Sequence, residues 1–89
     1  MNPDYVVRPR TDRDLDEQAY YYAINGSDDL GHRFLVAAHE TFALLGSRPH
    51  IGWKPKLKNP KLQGVRIFSI MGFGKMLVIY RFDQKPIDI

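Results

Sequence analysis

Cysteine is absent from this 89-residue chain. Without thiols, disulfide bridges and thiolate-held zinc are excluded, and nothing points to an oxidising compartment. Long apolar runs are missing too. No segment approaches the roughly 18 apolar residues of a membrane-spanning helix. The opening MNPDYVVRPR lacks the apolar stretch of a signal peptide. A cytoplasmic protein without membrane contact is expected. Arrangements that carry chemistry are equally sparse. His32 and His39 stand two helical turns apart, about 10 Å, which is too far for one metal ion; His50 lies in a separate loop. No His-Glu-x-x-His occurs, and Gly72-Phe73-Gly74 is followed by neither a helix nor the Gly-Lys-Ser/Thr of a phosphate loop. Ser69 reads as an ordinary strand residue. No catalytic residue, metal site or cofactor is expected.

What is present suits one small globular domain. Hydrophobic residues make up 44% of the chain, ordinary for a folded protein. At this length a core is marginal, so helices must lie on a sheet to bury enough area. The charge is unevenly placed. Residues 1–46 carry four Lys/Arg against eight Asp/Glu, a net −4; residues 47–89 carry nine against two, a net +7. A basic C-terminal half suits an anionic partner. A modest basic excess is also an ordinary aid to solubility.

The chain is organised around residues 63–82, QGVRIFSIMGFGKMLVIYRF. β-branched and aromatic residues dominate 64–70 and 75–82, which read as two strands. Residues 71–74, Met-Gly-Phe-Gly, join them, with two glycines able to take positive φ. Alternation puts Arg66, Phe68 and Ile70 on one face of the first strand, with Val65, Ile67 and Ser69 on the other. In the second, Leu77, Ile79 and Arg81 share a face opposite Met76, Val78, Tyr80 and Phe82. Both faces are apolar enough to need cover, one from helices and the other from a partner or a further element.

Upstream, residues 5–7 form a short strand near an edge, bracketed by Pro3 and Pro9. A helix over 11–24 opens on a capping box at Thr11 to Asp14 and aligns Leu15, Ala19, Tyr22 and Ala23 on one face. Asn25-Gly26 stops it. A second helix over 28–46, capped by Ser27 or Asp28, carries the stripe Leu30, Phe34, Ala37, Ala38, Thr41, Phe42 and Leu45 and ends at Gly46. Gly31 weakens its first turn by roughly 1 kcal/mol relative to alanine. So short a connection makes the helices an antiparallel pair. They should pack on the sheet through Leu15, Ala19, Phe34, Ala38, Phe42 and Leu45. Residues 83–86 read as a turn, and 87–89 as the first part of a strand. The order β-α-α-β-β defines an α+β fold: a helical hairpin on a small, mostly antiparallel sheet.

The connector 47–62, SRPHIGWKPKLKNPKL, holds three prolines and a glycine, which preclude a long helix. Lys54, Lys56, Lys58 and Lys61 crowd there beside Trp53. A basic strip bearing an aromatic suits phosphate or an acidic partner. The plainer alternative is a solvated loop whose Trp53 and Ile51 close the end of the core. Arg66 and Arg81 add cations on the strands; Arg66 is either a target contact or an ion-pair partner of Asp83 or the acidic first helix. Tyr20, Tyr21 and Tyr22 are consecutive and cannot share one face, so at least one is free to meet a partner.

Taken in order, YVVRPRTDRDLDEQAYYYA, RFLVAAHETFALLGSRPHIG and LQGVRIFSIMGFGKMLVIYRF resemble the RelE/ParE superfamily of type II toxin–antitoxin toxins, on the ParE-like side. The resemblance runs over residues 5–89. Leu45 to Gly52 matches the family's L-x-x-x-P-x-[ILM]-G loop with one extra residue. Gly64-Val65-Arg66 and Tyr80-Arg81 match its hairpin. The resemblance implies a cognate antitoxin, with Tyr20, Tyr21, Ile87 and Ile89 as its expected contacts. It implies DNA gyrase as the target of the ParE-like branch, with Lys54, Lys56, Lys58, Lys61, Arg66 and Arg81 as the expected target-binding surface. The RelE-like branch, which cuts mRNA on the ribosome, is the alternative. Phe68 and Ile70 stand where those ribonucleases tend to carry lysines, which weighs against RNA cleavage. Family members continue beyond the position of Ile89 with more of the last strand. An open hairpin edge, and a former toxin that only binds its antitoxin, are therefore further expectations.

Overall fold

The computed structural model describes residues 4–83 and 85–89. The elements run β1 (Tyr5–Val6), α1 (Pro9–Asn25), α2 (Asp28–Ser47), β2 (Val65–Ile70), β3 (Phe73–Arg81) and β4 (Ile87–Asp88). Two 3₁₀ turns, Pro49–Ile51 and Pro60–Leu62, punctuate the connector. The fold is α+β, a helical hairpin on a small sheet. The strand order is β1-β4-β3-β2. β3 pairs antiparallel with β2 and β4, while β1 and β4 are parallel. β1 is the edge strand its flanking prolines suggested. Pro3 and Gln84, within the expected bracket and turn, lie outside the described residues.

α1 begins at Pro9, ahead of the expected start. Proline suits the first helical position, where an N–H would have no acceptor. Thr11 is therefore not a cap. Its Oγ1 donates instead to the Ile89 carbonyl at 3.0 Å and ties α1 to the end of the sheet. Ser27 does cap α2, its Oγ accepting from the Leu30 N–H at 3.0 Å. α2 runs on through Gly46 to Ser47.

The core is built from the expected stripes. Leu15, Ala19, Phe34, Ala38, Phe42 and Leu45 are buried, meeting Ile70, Val78 and Tyr80 from the hairpin. Tyr22, Phe34 and Phe73 form an aromatic cluster with ring centroids 5.2–5.4 Å apart. Thr41 is the buried polar member of the α2 stripe. Its hydroxyl donates to the Ala37 carbonyl at 2.7 Å and accepts from the Met71 N–H at 3.1 Å, which fastens the hairpin turn to α2.

The hairpin is tighter than expected. Met71-Gly72 alone forms the turn, and Gly72 has a positive φ of 82°, the left-handed region that suits glycine. Gly74 lies within β3 and has no positive φ. The pairing Ser69↔Leu77 steps to Ile70↔Phe73 through a bulge in β3.

Candidate functional site

Register decides which residues share a surface. The partners Arg66↔Tyr80 and Phe68↔Val78 place Arg66, Phe68, Val78 and Tyr80 on the face toward the helices. The opposite face is assembled in rows across the strands. Trp53 bridges to Ile67 outside the named strands, and Ile67 pairs with Ile79. Partners in a sheet project to the same side, so Trp53, Ile67 and Ile79 form one outward strip. A second row runs Val65, Arg81, Asp88 and Val6; a third holds Ser69 and Leu77. Trp53, Leu77 and Ile79 are all about half exposed or more, at 49%, 53% and 62%. Isolated apolar side chains on a surface are normal, whereas large contiguous apolar patches mark contact sites, which makes this strip the candidate surface.

The connector that carries Trp53 is basic. Lys54, Lys56, Lys58 and Lys61 are all exposed on the connector. That connector is held against the sheet edge by Trp53, whose N–H donates to the Ile67 carbonyl at 2.9 Å and whose carbonyl accepts the Ile67 N–H at 3.0 Å. Arg81 is half-buried and partly committed. Its Nη2 donates to the Lys61 carbonyl at 2.6 Å, and its Nη1 reaches Asp83 at 3.3 Å. It therefore fixes the second half of the basic connector beside the outer face. The Asp83 pairing considered for Arg66 belongs to Arg81.

Arg66 points the other way. Its Nη1 donates to the carbonyls of Gly52 at 3.0 Å and His50 at 3.4 Å, and its guanidinium lies 4.3 Å from the centroid of the Phe82 ring. Its Nε is buried without a hydrogen-bond partner. Arg66 is thus a brace for the connector on the helix-facing side, which corrects its expected place in an open basic surface. Phe68 and Ile70 face the same interior. Their apolar character is explained by the core, so the absence of lysine at those positions bears on packing before it bears on chemistry.

Asp88, a residue the sequence reading did not single out, sits in the second outer row. The Arg8 Nε donates to its Oδ2 at 2.8 Å, and Nη2 contacts the same oxygen. That hydrogen bond, reinforced by the charges of Arg8 and Arg81 and opposed by burial, holds the Asp88 carboxyl below the ordinary carboxylate range. Burial raises the Tyr80 hydroxyl pKa, against the opposing effects of the Gly52 N–H and Arg66.

The expected antitoxin contacts divide. Tyr20 and Tyr21 are exposed on α1. Ile87 and Ile89 are not available to any partner. They are 0% and 4% exposed, because β4 lies in the middle of the sheet, between β1 and β3. The histidines are dispersed: His32 and His39 are exposed on α2, and the His50 ring packs 5.6 Å from that of Phe82. Among the described residues, no group of three or more His, Cys, Asp or Glu is placed to hold a metal ion, and no helix is long and apolar enough to cross a membrane. The chain matches no protein-family model, no curated protein and no solved structure.

Proposed function

We propose that this protein is a toxin of the RelE/ParE kind, on the ParE-like side, which binds and inhibits DNA gyrase and is held in check by a cognate antitoxin in the cytoplasm. The observation that carries the reading is the outer sheet face: an apolar strip of Trp53, Ile67 and Ile79 beside Lys54, Lys56, Lys58 and Lys61. Apolar anchors next to a basic connector suit docking on an acidic macromolecule, such as gyrase carrying DNA. The element order supports the same reading. So does the joining of two stretches of the resemblance, since the Gly52 N–H of the loop donates to the Tyr80 hydroxyl of the hairpin.

Binding without bond-breaking is favoured because the side chains gathered on this face are apolar or cationic, apart from Ser69 and the Arg8-paired Asp88. General acid–base cleavage of RNA needs a proton acceptor and a donor near the scissile phosphate. Two assays with the purified protein test the reading: supercoiling by gyrase, and mRNA cleavage on translating ribosomes. Loss of supercoiling with intact mRNA is expected. Codon-phased cleavage with unaffected supercoiling would replace gyrase with the ribosome. Inactivity in both would leave the antitoxin as the functional partner.

A further inference from the structure

The fold separates two opposite charge sets and leaves them unspent. α1 and α2 together carry seven Asp/Glu against three Arg, a net −4. Residues 48–62 carry five Lys/Arg and no acid, a net +5. Of all these groups, only Asp29 and Arg33 form an ion pair among the described residues, and they do so with each other. The acidic helices and the basic connector therefore do not pair within the molecule. Each also displays an apolar anchor. On α1, Tyr20 and Ile24 stand one turn apart and are 69% and 64% exposed. Asp16 and Glu17, one turn before Tyr20 on the same side of the helix, are exposed as well. On the outer sheet face, Trp53 lies beside its bridge partner Ile67, at the sheet edge remote from β1 and β4. Lys54 follows Trp53 directly in the chain.

We infer that this protein associates with itself head to tail: the Tyr20–Ile24 side of α1 in one copy docks on the Trp53–Ile67 side of the sheet in the next. Charge selects the occupant of each face. A partner for α1 must bring cations next to an apolar anchor, and the connector of a second copy brings Trp53 with Lys54, Lys56 and Lys58. A partner for the connector must bring carboxylates next to an apolar anchor, and α1 brings Tyr20 and Ile24 with Asp16 and Glu17. Helix layer against helix layer, or connector against connector, would set like charges together, which disfavours a two-fold pair. Trp and Tyr are the residue types that most often anchor protein interfaces, since each buries a large rigid side chain at little cost in entropy. Covering both anchors removes apolar surface from water, while the surrounding charges fix the orientation. A contact between two different faces leaves one of each free at the ends, so copies continue to add beyond a dimer. The inference stands on these two faces, independently of the gyrase reading.

Sedimentation of the purified whole protein, from micromolar to millimolar concentration, tests it. In low salt the average mass should rise with concentration and pass beyond a dimer. Raising the salt from about 0.02 M to about 0.5 M should weaken association at least about tenfold. Two variants separate the faces: Tyr20→Gln with Ile24→Gln on α1, and Lys54→Glu with Lys56→Glu and Lys58→Glu on the connector. All five side chains are exposed, so both variants should keep the wild-type circular dichroism spectrum. Each variant alone should remain monomeric. Mixed in equal amounts, they should form a one-to-one dimer, because the first keeps an intact connector face and the second an intact helix face. Mixing cannot rescue a two-fold interface in this way. A wild type that stays monomeric in low salt, or stops at a dimer, would overturn the inference. So would association insensitive to salt, a folded variant that still associates alone, or a mixture that forms no dimer.

Discussion

The Gly52 N–H donates to the Tyr80 hydroxyl at 3.1 Å, and that hydroxyl donates in turn to the Pro49 carbonyl at 2.6 Å. Residues 28 and 31 positions apart are thereby locked together inside the molecule, at the point where the chain leaves α2 and enters the basic connector. Gly52 is pressed so closely on Tyr80 that a Cβ would collide with the ring and its hydroxyl.

Removing the hydroxyl should therefore cost more than one hydrogen bond. Tyr80→Phe strands a buried N–H and leaves the Pro49 carbonyl without this donor, a loss of about 1–3 kcal/mol. Urea denaturation measures it, and unchanged stability would argue against the lock. Since burial raises the hydroxyl's pKa, the folded state favours the neutral phenol. Its contribution should be full below the unfolded pKa of about 10 and fade as pH rises through the folded value.

Phe42→Ala and Phe34→Ala should each cost about 3–5 kcal/mol. Both side chains are essentially fully buried. In a domain this small, such a loss takes most of the stability. Thermal melting decides it; a melting temperature like that of the wild type would contradict the packing.

Gly31→Ala should destabilise, although alanine is the better helix former by about 1 kcal/mol. A Cβ at Gly31 would stand 2.7 Å from the Ala19 carbonyl oxygen and 3.3 Å from the Ala23 Cβ. Glycine is what lets α1 and α2 approach, so the penalty expected for the first turn of α2 is offset by the helix contact. A rise in the melting temperature would show that the helices can part at no cost.

The Arg8–Asp88 pair sets an acid limb. The Asp88 pKa is depressed in the folded protein, so its contribution is present above the unfolded carboxylate value of about 3.9 and is lost as pH falls through the folded value. Asp88→Asn should be less stable than wild type at neutral pH. The gap should close in acid below about pH 4. A gap independent of pH would remove this pair from the acid response.

On the outer face, Trp53→Ala should weaken target binding more than it weakens the fold, because the side chain is half exposed. Replacing Lys54, Lys56 and Lys58 with glutamine should lower the salt dependence of binding by about one unit of slope for each lysine that meets a phosphate. An unaltered slope in the triple variant would place the partner elsewhere.

Local periodicity was enough for much of this molecule. The spacing of Leu15 and Ala19, and of Phe34, Ala38, Phe42 and Leu45, identified the buried sides of both helices because a helix brings residues three and four apart onto one face. Alternation likewise sorted Arg66 from Ile67 and Val78 from Ile79. What spacing cannot reveal is which face of one strand joins which face of the next. That depends on register, which here turns on the bulge before Leu77, and register follows from non-local backbone pairing and core packing. Only the tertiary structure could send Arg66 inward to Gly52 and Phe82, and join Trp53 to Ile67 and Ile79 on the outside. Ile87 and Ile89 differ for the same reason. Three residues of alternating pattern have too little sequence to declare their place, and it is pairing with β1 and β3 that makes them core.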